Sequence, residues 1–312
     1  MIIKIKRTLW IALAVLLVSS AFCGWILLRK PSSVRPQVSV GTLDYYPMFN
    51  SQYINSRDVA VWLPNGYQIG DSCDVLYMHD GQMLFDAATT WNHQEWHVDE
   101  IVDSLINKGA IRPCIVVAIN NTDDRLEEYF PNKVWQYLAG SERETDDQQK
   151  MDGDDYLVFL VKELKSFIDK RYRPLTSREH TFIMGSSMGG LISLYALCEY
   201  PQVFGGAACL STHLSMQKLP VVDDDHEPWA TALRSYVQEH LPQPGTCRLY
   251  MDHGTSGYDG DYGMYQERID EIIKNKGWGD DCYMSLSFDG HDHNETFWAS
   301  RLHTPLEFLM SK

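Results

Sequence analysis

The chain has no clustered face of lysine and arginine, and its basic residues, 27 in all, are outnumbered by 42 acidic ones for a formal net charge of -15. Such a surface repels a polyanion, which argues against nucleic acid or an anionic membrane surface as a partner and favours a neutral or weakly charged substrate. The acidic excess gathers at residues 142–155 and 223–225, and a solvated loop is the plain reading of both. No CxxC and no Cys/His ligand spacing occurs, so neither a structural zinc site nor any other metal is expected. No internal repeat is visible, so the chain is not read as a repeat array. Cysteine is sparse, and the six thiols Cys73, Cys114, Cys198, Cys209, Cys247 and Cys282 are expected to be buried and free, although Cys247 and Cys282 each open a predicted strand and could lie close.

What is present begins with one long apolar run. Lys4, Lys6 and Arg7 precede an uncharged, mostly apolar stretch over residues 9–28, which Arg29 and Lys30 close. The run is long enough to span a bilayer, and Ser19, Ser20 and Ala21 ahead of Cys23 also read as a weak signal-peptidase site. Either way the chain is expected to be exported, to a periplasmic or other extracytoplasmic space, with an uncleaved anchor preferred because the run exceeds a usual signal core. Lipidation at Cys23 would want a small residue where Phe22 stands. Residues 1–30 are therefore read as a signal peptide or membrane anchor, 31–38 as a short linker, and 39–312 as one catalytic domain, for which 44% hydrophobic content supplies a large core.

Strand-like runs at 59–63, 74–78, 114–119, 181–184, 206–210, 247–251 and 282–288 alternate with helical patterns. This alternation predicts an α/β fold, a mostly parallel sheet with helices on both faces. Leu157, Leu160, Val161, Leu164 and Ile168 form one core-facing stripe, and Tyr265, Ile269, Ile272 and Ile273 another. Residues 140–155 lack periodicity and are predicted to be an exposed excursion.

Residues 180–191 read as a β-type run, a Gly185-Ser186-Ser187-Met188-Gly189 turn and an apolar helix, the strand-turn-helix setting of a nucleophile elbow in an α/β-hydrolase fold. Ser187 is the predicted nucleophile, and Ser186 lies one residue early. A serine hydroxyl needs a neutral imidazole to take its proton and an acid to hold that imidazole. In chain order the acid comes second and the histidine last. Only His291 and His293 stand in a loop after the last predicted strand and before the final helix; His293, next to that helix, is the preferred base, and His291 is read as a loop residue or substrate contact. The acid should follow the strand ending near Met251, where Asp259 is preferred for its reach, with Asp252 and Asp261 as competitors. The oxyanion formed on attack needs two backbone N–H donors, assigned to Met188 and to Gln82 in the turn after strand 74–78. His79 is read as structural. Trp91, Trp96, Trp135 and Tyr137 lie past strand ends and could wall a site for a sugar or phenolic acyl group, or simply pack in the core.

With these residues in hand the chain resembles the esterase family that includes esterase D, the enterochelin esterases, and the feruloyl and acetyl-xylan esterases of carbohydrate esterase family one. The matching segments are residues 77–86 (YMHDGQMLFD), 95–99 (EWHVD), the 120–131 stretch with Arg125, Glu128 and Tyr129, the elbow, Asp252-His253-Gly254-Thr255 with Asp259, and His293-Asn294-Glu295 with Trp298. The resemblance implies ester hydrolysis through an acyl-enzyme with Ser187, Asp259 and His293 in the triad positions and no cofactor. It favours His293 over His291, because the family's histidine stands five residues before a position here held by Trp298. Arg125, Glu128 and Tyr129 match a family pattern too, as substrate contact or structural ion pair, while Trp96 and His291 are expected as substrate contacts from their places in the loops. Ser256 and Gly257 depart from relatives that often carry an acidic residue there. The expected function is hydrolysis of extracytoplasmic small-molecule or carbohydrate esters, with two alternatives: an acyltransferase using the same triad, and a non-catalytic carbohydrate-binding protein on a hydrolase scaffold.

Overall fold

The computed structural model describes residues 35–138, 151–216 and 228–311. The apolar run 9–28, the linker as far as residue 34, most of the polar stretch 140–155 and the acidic run 223–225 lie outside the described residues. Among the described residues no helix is long and apolar enough to cross a membrane.

Eight strands form one sheet: β1 (Thr42–Phe49), β2 (Arg57–Leu63), β3 (Asp74–His79), β4 (Cys114–Ile119), β5 (Thr181–Ser186), β6 (Gly206–Leu210), β7 (Arg248–Gly254) and β8 (Tyr283–Phe288). Their order is β1-β2-β4-β3-β5-β6-β7-β8. Every pairing from β4 to β8 is parallel, while β1 with β2 and β2 with β4 are antiparallel. The central strands read as near-continuous apolar runs (DVLYMH, CIVVAI) because both of their faces are covered.

Strand β1 has no counterpart in the sequence reading. It holds Pro47, which cannot donate to a ladder, and the register breaks between Tyr46 and Phe49, on either side of that proline. An edge position with a bulge is where a strand tolerates proline.

Helices cover both faces. On one lie α2 (Gly153–Val158), which continues through a π-helical stretch (Phe159–Leu164) into α3 (Lys165–Tyr172), together with α4 (Met188–Glu199), α5 (Pro228–His240) and α6 (Tyr262–Asn275). On the other pack α1 (Val98–Asn107), α7 (Glu295–Arg301) and α8 (His303–Met310). Both expected stripes face the core: Leu157, Leu160, Leu164 and Ile168 are fully buried, as are Ile269 and Ile273, with Val161 and Ile272 packed at the margin. The predicted excursion is corrected at its end, since residues 153–155 already belong to α2. The six described cysteines are buried free thiols.

Candidate active site

The parallel strands β3, β5, β6 and β7 deliver a cluster of polar groups at their C-terminal ends, the edge at which open α/β sheets bind ligands. Ser187 stands between β5 and α4 with φ 58° and ψ -123°, a conformation that costs a non-glycine residue free energy and is held by its surroundings. Its amide donates to the carbonyl of Leu210 at 2.9 Å. The turn is feasible because Gly185 meets α4 at its root: a Cβ there would lie 2.7 Å from the carbonyl carbon of Gly189.

His293 follows β8 in the loop before α7. Its Nδ1 lies 2.7 Å from Oδ1 of Asp259, which sits in a 3-10 turn (Gly257–Asp261) just past β7. Its ring is met edge-on by Tyr262 and Trp298, at centroid distances of 5.4 and 4.9 Å. The Asp259 carboxylate is fully buried; its Oδ2 accepts from the Gly254 amide at 2.8 Å and from the Ser211 hydroxyl. Burial pushes its pKa up, but the hydrogen bonds and charge offered by His293, with Ser211 and the Gly254 amide, outweigh that and leave the carboxyl below its usual range. Gly254 lets the two loops touch, since a Cβ on it would stand 2.1 Å from the carbonyl oxygen of His291.

The two competing carboxylates are elsewhere. Asp252 lies inside β7, fully buried, where Arg301 grips it at 3.1 and 3.2 Å, and it accepts from Tyr250 Oη at 2.8 Å and the Ser211 amide at 3.2 Å. Burial holds its pKa above the ordinary carboxylate value despite the Arg301 charge. Asp261 is exposed.

Ser187 and His293 line one cavity of about 280 Å³. Gln82, Trp91, Trp96, Asn121, Arg125 and Trp298 complete most of its wall. Gln82 lies in the 3-10 turn Gly81–Met83 directly after β3, and its side chain accepts from the Asn121 amide at 3.1 Å. Met188 opens α4, where first-turn N–H groups have no intrahelical acceptor. Trp96 is 3% exposed and pairs with Trp298 at 5.4 Å, so it is both wall and core. Arg125 reaches the cavity while forming two hydrogen bonds, 2.7 and 2.8 Å, with Asp80.

His291 is not among the cavity's lining residues. Its Nδ1 faces Arg301 Nη1 at 3.2 Å and its ring lies on Phe297 at 4.8 Å. Trp135 and Tyr137 are also away from the cavity: Trp135 packs on Trp229, and Tyr137 on Tyr236 and His240. His79 is buried, with Nδ1 2.7 Å from the Tyr156 hydroxyl. Glu128 forms a buried ion pair with Arg57, and Tyr129 receives the Asp80 amide at 3.4 Å. Sequence reasoning missed Ser211 and Arg301, which brace Asp259 from below. Arg301 alone left a trace, a charged residue on the same apolar helix face as Trp298 and Leu302.

Comparisons with known proteins agree with this architecture. A sequence model of the family described as "Putative esterase" matches residues 51–309. The uncharacterized protein YbbA of Bacillus subtilis is 22% identical over 265 residues, which is 82% of this chain and 94% of YbbA. Among solved structures, a ferulic acid esterase superposes with a TM-score of 0.63 at 20% identity, covering 88% of this chain and 99% of its own. The enterobactin esterase from Shigella flexneri, solved in the presence of 2,3-di-hydroxy-N-benzoyl-glycine, gives 0.60 at 17% identity over 88% of this chain and 60% of its own. At these identities the structural matches speak for a shared fold, and because the family match spans most of the sequence the chain belongs to the esterase family that this model describes.

Proposed function

We propose that the chain is a carboxylic ester hydrolase of the α/β-hydrolase fold that works through an acyl-enzyme on Ser187, with His293 as general base and Asp259 as its acid. The observation that carries this reading is that Ser187 and His293 line one cavity while Nδ1 of His293 is engaged by Asp259 at 2.7 Å. With Nδ1 occupied, Nε2 is the ring nitrogen left for the Ser187 proton. Attack converts the ester carbonyl into an oxyanion, for which the amides of Gln82 and Met188 are the donors. The imidazolium then protonates the departing alcohol, and water repeats the cycle on the acyl-enzyme. Asp259, kept ionised by its hydrogen bonds, fixes the tautomer and stabilises the imidazolium.

A wall of indoles with a few convergent polar groups suits a small, flat or ring-bearing ester, phenolic or carbohydrate in kind, and Trp96 and Arg125 are its proposed contacts. The apolar run at residues 9–28 favours export and an extracytoplasmic substrate, with residues 39–312 as the catalytic domain, and the acidic balance of the chain favours a neutral or weakly charged one.

Incubation with a fluorophosphonate probe and short p-nitrophenyl esters, beside Ser187→Ala, tests the reading. Covalent labelling and turnover should be present in the wild type and lost in the variant. A wild type that neither takes the probe nor releases p-nitrophenol sinks it.

A further inference from the structure

The candidate acid and base stand on two different loops, and a further carboxylate ties those loops together. Asp292, half-buried in the loop between β8 and α7, accepts at Oδ1 from the backbone N–H of Tyr258 at 3.0 Å and from that of His293 at 2.7 Å. Tyr258 directly precedes Asp259. A single oxygen thus joins the residue ahead of the acid to the base itself, across 34 positions of sequence. Farther out, the Ser256 N–H donates to the His291 carbonyl at 3.0 Å, Thr255 Oγ1 donates to Asp289 at 3.1 Å, and the Gly290 N–H donates to Thr255 Oγ1 at 2.9 Å. Of these links between the loops, only the one through Asp292 ends on the amide of His293.

The opposite loop leaves room for that carboxylate at one point. Gly257 stands at φ 54°, and a Cβ on it would lie 2.0 Å from Oδ1 of Asp292 and 2.2 Å from its carboxyl carbon. A side chain at position 257 would drive the carboxylate off both N–H groups, and the positive φ independently favours glycine there. A backbone N–H donating to a carboxylate is a short, strong, directional bond, so two of them on one oxygen fix the spacing of the loops.

We propose that Asp292 is a positioning residue: it holds the N–H groups of Tyr258 and His293 at the separation at which Asp259 meets Nδ1 of His293, and Gly257 keeps the space for it open. The inference rests on Asp259 and His293 being the acid and base of the proposed mechanism. Asp292 does not line the cavity, so its influence passes through the orientation of the imidazole. A misplacement of about 1 Å can cost a reaction about a hundredfold, and the imidazole has to serve both Asp259 and Ser187 at once. The role needs an acceptor oxygen in this place and not the charge, so asparagine fills it and leucine, of similar size, does not.

The test compares Asp292→Asn, Asp292→Leu, Asp259→Asn and the double variant Asp259→Asn with Asp292→Leu. Turnover of p-nitrophenyl acetate is measured per molecule labelled by fluorophosphonate, beside Tm. Asp292→Leu should lower kcat by about tenfold to a hundredfold and leave KM within about twofold, whereas Asp292→Asn should keep kcat within about threefold of the wild type. In the Asp259→Asn background Asp292→Leu should cost less than about threefold, because the bond whose geometry it sets is already gone. A wild-type kcat in Asp292→Leu overturns the proposal, as does an Asp292→Asn as slow as the leucine variant or an undiminished loss in the Asp259→Asn background. If Asp292→Leu does not fold, Gly257→Ala displaces the carboxylate from the other loop and should lose kcat to the same extent; wild-type kcat in that variant is equally fatal. Wild-type turnover in Asp259→Asn alone removes the acid itself, a failure of the triad that is recognised without touching position 292.

Discussion

Arg301 holds Ser211 beneath the candidate triad, its Nη2 donating to the Ser211 hydroxyl at 2.8 Å. The same hydroxyl accepts from Nε1 of Trp298 at 3.0 Å and donates a hydrogen bond to Asp259, so one small side chain joins the final helices to the carboxylate that holds His293. Ser211 holds this place at φ 40°, fully buried. Ser211→Ala leaves two buried donors without their acceptor and should cost about 1–3 kcal/mol of stability. It also leaves Oδ2 of Asp259 with one donor, the Gly254 amide, in place of two, and kcat should fall by about tenfold as the imidazole loses part of its fixed orientation. Urea unfolding and p-nitrophenyl ester turnover read the two effects; a variant of unchanged stability and rate would show that this layer carries no load.

Two buried aspartates separated by seven positions make opposite predictions. Asp259→Asn keeps the shape but offers His293 an amide, and kcat/KM should fall by about a thousandfold or more through the wrong imidazole tautomer. Asp252→Asn leaves the buried Arg301 guanidinium with only the Asp259 carboxylate, 3.8 Å away, as a counter-charge, so it should lose about 3 kcal/mol of stability and far less activity per folded molecule. If Asp252→Asn proved the more damaging to kcat/KM at equal active-site concentration, Asp259 would not be the acid.

Ser187 and His293 are legible because their cues are local: a strand, a glycine-flanked serine and a helix in one case, a loop after the last strand in the other. Asp259 is harder, since three aspartates share its short segment and only reach across the loop favours it. The bracing layer leaves almost no local cue, because its bonds join positions 48, 87 and 90 apart. Strand β1 hides for a different reason, as Pro47 reads as a strand breaker until the edge position and bulge are known. Trp135 and Tyr137 are open to either reading from sequence, since an indole past a strand end suits a site wall as well as core packing. Their partners Trp229 and Tyr236 come from α5, about a hundred residues on, which no local pattern conveys.

Buried His79 sets an acid limit on stability. Burial lowers its pKa from 6.5 to about 3, with the Asp80 charge opposing and the charges of Arg125 and Arg57 adding to the fall. Between these values the unfolded chain holds a proton that the folded chain does not, so stability rises with pH across that window and is lost as pH falls from about 6.5 toward 3. His79→Gln removes this titration. The wild type should therefore lose a few kcal/mol more than the variant between those limits. Parallel slopes of unfolding free energy against pH would refute the assignment.

Trp91 and Trp96 line the same cavity five positions apart but differ in burial, 82% exposed against 3%. An exposed indole contributes little to the fold, so Trp91→Ala should leave Tm within experimental error. If Trp91 stacks on the substrate, the variant should raise KM for a hydroxycinnamoyl ester by about tenfold, the worth of one aromatic contact, and leave KM for p-nitrophenyl acetate nearly unchanged. Trp96→Ala empties a site packed against Trp298, which itself holds Ser211, and should cost about 3–5 kcal/mol. The difference between the two esters is the decisive measurement, since a merely structural role for Trp91 would move both KM values together or neither.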